Sequence, residues 1–141
     1  MTMNLSEPLQ RALFERLAAA PELAGLEGRI YDDAPHRARE TGSQPYITLG
    51  DETVAPWNTA TDTGAVHEVT IRVYAPQRGF LPVKVLAAEV AELIATMPPV
   101  PDRGTIITHE FIAARTQREE QGALRRIDLR FRFVIEDSPV A

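Results

Sequence analysis

The residues able to do chemistry are few and scattered. His36, His67 and His109 are the only histidines. Metal-binding histidines recur at set spacings on one element. Here His36 falls in a polar stretch and the other two in separate strand-like segments, so solvent-facing or strand-edge histidines are expected. The acidic pairs Asp32–Asp33, Asp51–Glu52 and Glu119–Glu120 meet a similar objection. A two-carboxylate hydrolase needs groups that converge across a cleft, and neighbours on a strand diverge. Solvated charges are the simpler reading. Ser6, Ser43 and Ser138 fall at a helix start, in a loop and in the tail, away from the strand–turn–helix setting of a nucleophile elbow. Gly25 and Gly28 make no phosphate-cradling loop, and no Walker lysine follows them. With no cysteine in the chain, thiolate metal sites, Cys nucleophiles and disulfides are excluded. A non-enzyme without metal or cofactor is expected.

What remains is contact chemistry. From Ile127 the chain alternates, with Ile127, Leu129, Phe131, Phe133 and Ile135 on one side and Arg126, Asp128, Arg130, Arg132 and Glu136 on the other. A period of two makes this a strand with one apolar and one Arg-rich face. A slip of one residue would expose the whole apolar set, so the register is strongly specified. Arg72 and Arg115 from other segments extend the charged face. A solvated sheet face is the simple account. The functional account is a surface that meets another copy through charge pairs. Trp57 is the only tryptophan and sits in a polar stretch, which makes it either a lid on the domain's own edge or an interface anchor. The contact candidates are therefore Trp57, Asp62, Arg72, Arg126, Asp128, Arg130 and Arg132.

The elements that must position these residues follow in order. Ser6 reads as an N-cap with Glu7 and Pro8 in the first turn of a helix over about Glu7–Ala20. Its stripe is Leu9, Leu13 and Leu17 with Ala12, Phe14 and Ala20, and Pro21 ends it. Leu23 and Leu26 tuck back in a short turn of helix. RIYDDAP is a short strand, HRARETGSQ a solvated loop, and PYITLGDETV a second strand. APWNTATDTG has turn chemistry throughout and reads as a flexible loop over 55–64. VHEVTIRVYA is a third strand, with Val69, Ile71 and Val73 facing opposite to Glu68, Thr70, Arg72 and Tyr74. A second helix over about Leu81–Thr96 carries Val83, Leu86, Val90, Leu93, Ile94 and Met97 on its buried face. TIITHEFIAARTQ is a fourth strand and forms a hairpin with the closing one. Residues 137–141 read as a frayed tail. One helix among five strands does not fit strict α/β alternation. An α+β domain is expected, with a mostly antiparallel sheet of about five strands and two helices packed on one face.

At 141 residues, 44% hydrophobic and 25% charged, one domain covering 1–141 is expected. A net charge of −5 argues against free nucleic-acid binding. The opening residues lack the basic start and apolar run of a signal peptide. No apolar stretch approaches the roughly 18 residues of a membrane span, so a soluble cytoplasmic chain is expected.

In its order of elements the chain resembles the small tail-completion, or tail-terminator, proteins of long-tailed phages and of phage-derived gene transfer agents. The resemblance runs over roughly Leu9–Glu136. It is carried by an amphipathic helix, then GRIYDDAP and PYITLGDE, a Thr/Gly-rich stretch with a Trp, HEVTIRVYAPQRG, the helix VKVLAAEVAELI, and a strand pair ending RFRFVIED. It implies a structural virion protein assembled in the host cytoplasm as a hexameric ring at the head-proximal end of the tail. There the ring ends tube polymerisation and contacts the tail tube protein and the head-tail connector or stopper, with DNA passing through its lumen. Another neck component, a stopper or adaptor, is the alternative. A small ligand-binding or enzymatic α+β domain is a more distant one. The resemblance names no binding residue.

Overall fold

Alternation decides the architecture. The computed structural model describes residues 2–32, 44–58, 63–76, 79–119 and 124–137. Among these the chain runs as α1 (Ser6–Ala19), β1 (Ile30–Tyr31), β2 (Tyr46–Asn58), β3 (Thr63–Ala75), α2 (Leu81–Thr96), β4 (Thr105–Glu119) and β5 (Leu124–Glu136). Short 3-10 helices at Thr2–Leu5 and Pro21–Leu26 flank α1. The strands form one mixed five-stranded sheet in the order β1-β2-β3-β5-β4. β1 lies parallel to β2, and the other three pairings are antiparallel. The class is α+β.

The apolar face of β5 is the floor of the core. Ile127, Leu129, Phe131, Phe133 and Ile135 are buried, none more than 4% exposed. They form one cluster with Val69, Ile71 and Val73 of β3, with Leu9, Leu13 and Leu17 of α1, and with Val83, Ala87, Val90, Leu93 and Ile94 of α2. Each large apolar side chain taken out of water contributes roughly 1.5–3 kcal/mol. The helix limits follow from proline. Pro8 and Pro82 stand in first turns, where the missing N–H has no intrahelical partner to lose. Ala20 is extended (φ −73°, ψ 123°) because it precedes Pro21, and α1 stops there.

Three local expectations are corrected. Ser6 does not cap α1; Leu5 holds that position without a side-chain bond, and the Ser6 hydroxyl donates to Glu52 instead. Phe14 and Met97 are 43% and 53% exposed rather than buried. Phe14 follows Leu13 by one residue and so turns about 100° away from the stripe. Met97 lies at the C-cap, where φ of −135° has already left the helical period. The flexible loop expected over 55–64 is largely strand. Ala55, Pro56, Trp57 and Asn58 pair with Val66, Ala65, Gly64 and Thr63, because a hairpin with fixed register carries residues of turn-like type into the ladder. Residues 59–62, Asp62 among them, lie outside the described residues, as do most of 36–44 and 138–141 of the expected tail. Asp137 N–H donates to the Thr63 carbonyl at 2.9 Å, so the first tail residue is tied to β3.

One glycine is essential to the layout. The β2–β3 register slips between Thr48 and Asp51, and Gly50 in that bulge has φ of +119°. A Cβ there would lie 2.7 Å from the Asp32 carbonyl oxygen. Glycine alone permits both the backbone angle and the close approach of the chain leaving β1. The bulge also sets which of the adjacent Asp51 and Glu52 faces the core, since Glu52 pairs with buried Val69 and Asp51 with Thr70.

Candidate functional site

The face of the sheet opposite the helices carries a ladder of charges. Cross-strand register sets Arg72 of β3 beside Asp128 of β5, which stands beside Arg115 of β4, and sets Glu68 beside Arg132, which stands beside Glu110. Charge therefore alternates in sign along each row. Arg72 donates to Asp51, and its Nε lies 3.5 Å from Asp128 Oδ1. Arg126 Nε lies 2.7 Å from the same Asp128 oxygen. Arg130 Nη2 donates to Glu68 Oε1 at 2.9 Å. Arg132 bridges two carboxylates, with Nη2 3.4 Å from Glu68 Oε2 and Nη1 donating to Glu110 Oε1 at 2.9 Å.

The electrostatics are local and balanced. Arg72, Arg126, Arg130 and Arg132 are matched by Asp51, Glu68, Glu110 and Asp128. Partial burial opposes the charge on Arg72, but the bond to Asp51 and the charges of Asp51 and Asp128 hold its pKa above the ordinary range. The bond to Glu110 does the same for Arg132, against slight desolvation. The exposed pairs of Arg130 and Arg132 contribute little to stability, so that end of the ladder patterns the surface more than it stabilises the fold. Arg126 and Asp128 are largely buried, their side chains 14% and 13% exposed.

The structure brings together Arg72, Arg126 and Asp128, and beside them Arg130 and Arg132. Trp57 stands apart. It pairs with Gly64 at the other end of the β2–β3 hairpin, on the same face and half-buried. A Cβ on Gly64 would sit 3.1 Å from Trp57 Cε3 and 2.3 Å from the Ile135 carbonyl oxygen, so the ring lies against a residue kept bare for close strand packing. Asp51, Glu68 and Glu110 complete the ladder and were missed as candidates. Their signal was their place on the polar side of alternating segments.

A second polar cluster lies on the helix face. His67 is not solvent-facing but fully buried, since it shares the parity of Val69 and Ile71, a signal present in the sequence. Its Nδ1 stands 3.0 Å from Glu52 Oε2. A carboxylate only accepts, so Nδ1 carries the hydrogen. Ser6 donates to the other Glu52 oxygen. Desolvation pushes the Glu52 carboxyl upward, but the bonds from His67 and Ser6 outweigh it and hold the pKa below the ordinary 4.5. His109 is exposed on β4. Among the described residues no group of three His, Asp or Glu could hold a metal ion.

The chain matches the family model described as "Tail completion protein gp17" over residues 11–136. Its fold is similar to that of a chain solved in the "Virion of native gene transfer agent (GTA) particle". That similarity has a TM-score of 0.83 and 35% identity, and covers 94% of this chain and 98% of that one. No curated protein sequence matches it. The protein is thus a structural component of phage-like tails, and it belongs to the tail completion protein gp17 family.

Proposed function

We propose that this chain is a tail terminator. It forms a ring, hexameric by analogy with the family it resembles, at the head-proximal end of a phage-like tail tube. The ring ends polymerisation of the tube protein and offers its other side to the head-tail connector or stopper. It is assembled in the host cytoplasm, works in the virion and catalyses no reaction. The observation that carries this reading is membership of the tail completion family over residues 11–136, joined to a sheet whose charged face no helix of the described residues covers.

The ladder supports a passive role toward DNA. Each unpaired Arg facing a phosphate would add salt-dependent affinity. Arginines already matched by carboxylates add little, so DNA passing the lumen is not held. Trp57 serves as an anchor to a neighbouring subunit or tail component, with Asp62, Arg72, Arg126, Asp128, Arg130 and Arg132 as further contact candidates. Light scattering and electron microscopy of the purified chain, alone and with tail tube protein, test the proposal. Closed rings and capped, length-limited tubes are expected. A strict monomer under both conditions overturns it. Trp57→Ala is expected to abolish ring formation while shifting the melting temperature by a few degrees at most. Assembly equal to wild type removes the anchor role.

A further inference from the structure

The sheet ends in two unequal open edges. β4 is a border strand of 15 residues, and among the described residues its outer side pairs with nothing. Ile107 and Phe111 on it are 44% and 50% exposed. On the opposite border β1 covers only Ile47 and Thr48, so the rest of β2 is also unpaired on its outer side among the described residues. Long uncovered edges are templates for pairing with another chain.

Strand direction and charge say which chain. β2 runs antiparallel to β3, β3 to β5, and β5 to β4. A second copy set beside the first by rotation alone therefore places its β2 antiparallel to β4, and the sheet continues without a break in pattern. The charged rows point the same way. Arg115 ends the row Arg72–Asp128–Arg115 at the β4 border. Among the described residues it has no ion-pair partner, because Asp128 is taken by Arg72 and Arg126. At the β2 border the same face carries Asp51, whose side chain is 62% exposed.

We infer that copies of this chain join head to tail by antiparallel pairing of the outer edge of β4 with the outer edge of β2 of the next copy, with Arg115 of one facing Asp51 of the other. The contact uses different patches on the two copies, as a closed ring requires, and main-chain pairing supplies the affinity. The inference rests on the ring-forming reading proposed above and assigns its seam.

The test uses the full-length chain in three forms. Arg115→Asp sets Asp against Asp51 at every seam, and Asp51→Arg sets Arg against Arg115. Each variant alone is expected to assemble about tenfold more weakly per seam, the equivalent of roughly 1.4 kcal/mol. A 1:1 mixture restores assembly, because every seam in an alternating ring is then either native or charge-reversed. Amide exchange along β4 and the outer side of β2 is expected to slow on assembly. Variants that assemble like wild type, or a mixture no better than either alone, overturn the seam. So do wild-type rings whose β4 amides exchange as in the free chain, an outcome that leaves the ring standing. A wild-type chain that never assembles overturns both readings. Equal melting curves for the separated chains show that the variants still fold.

Discussion

Glu52→Ala should cost the isolated domain about 2–4 kcal/mol at neutral pH, with the helices and sheet intact. Wild-type Glu52 accepts from His67 Nδ1 at 3.0 Å and from the Ser6 hydroxyl. Hydrogen bonds to a charged group are worth about 1.5–3 kcal/mol, and an orphaned buried donor costs about 1–3 kcal/mol. Removing the carboxylate leaves Nδ1–H of a fully buried imidazole without its acceptor. Relief of the carboxylate's own desolvation offsets part of the sum, which places the estimate below simple addition. For a domain of 141 residues this corresponds to a fall in Tm of about 6–12 °C. Glu52→Gln keeps an acceptor for His67 and should cost about 1 kcal/mol.

The pH dependence fixes the cause. The folded Glu52 carboxyl titrates below its ordinary 4.5, so its contribution is fully present above that value and is lost as pH falls through the lower folded value. Urea midpoints measured from pH 7 down to pH 3, at a concentration where sizing gives one species, should show the gap between wild type and Glu52→Gln closing below about pH 4.5. Glu52→Ala within about 0.5 kcal/mol of wild type at pH 7, or a gap that does not vary with pH, would refute the reasoning.

Two further outcomes are expected. Gly50→Ala should destabilise by about 2–3 kcal/mol in urea melts, because it sets a Cβ at φ +119° and 2.7 Å from the Asp32 carbonyl; a neutral result would mean the β2 bulge is not fixed as described. Arg132→Ala should leave the urea midpoint close to that of wild type despite its contacts with Glu68 and Glu110, since its side chain is 40% exposed; a large fall in the midpoint would show the ladder to be structural.

Much of the fold was legible because burial follows parity. β5 alternates cleanly, and every residue assigned to its apolar side is buried. The helices were legible from Pro8, Pro21 and Pro82 and from their leucine and valine stripes. Sequence and structure part where a residue's type and its place in the pattern disagree. Imidazole polarity predicts an exposed His67, yet it stands two residues before Val69 on the same face. Pro, Asn, Thr and Gly predict a loop around Trp57, yet the β2–β3 hairpin holds these residues in register. Serine predicts a cap at Ser6, yet a partner 46 residues away takes its hydroxyl. Asp51 and Glu52 are the converse case. Their divergence was foreseen from adjacency, but which one faces the core depends on the bulge at Gly50, and a slip of register is not a property of residue type.

The site was half legible for the same reason. A single strand reveals its own charges, so Arg126, Asp128, Arg130 and Arg132 could be read directly, but apart from Asp128 the carboxylates that neutralise the arginines come from β2, β3 and β4. Only strand order brings Glu68 between β2 and β5, or Glu110 to the border. That order changes what the arginines mean. Four unpaired arginines would be a patch for an anion. Four arginines matched by Asp51, Glu68, Glu110 and Asp128 are a neutral surface whose pattern extends sideways. A balanced surface gains little by facing phosphate and more by continuing its alternation into a neighbour. Among the described residues, the ladder's unmatched charge then lies where growth of the sheet would take place, at Arg115 on β4. A face built this way favours assembly edge to edge over binding face-on, so the strand borders are where contacts between subunits should be sought first.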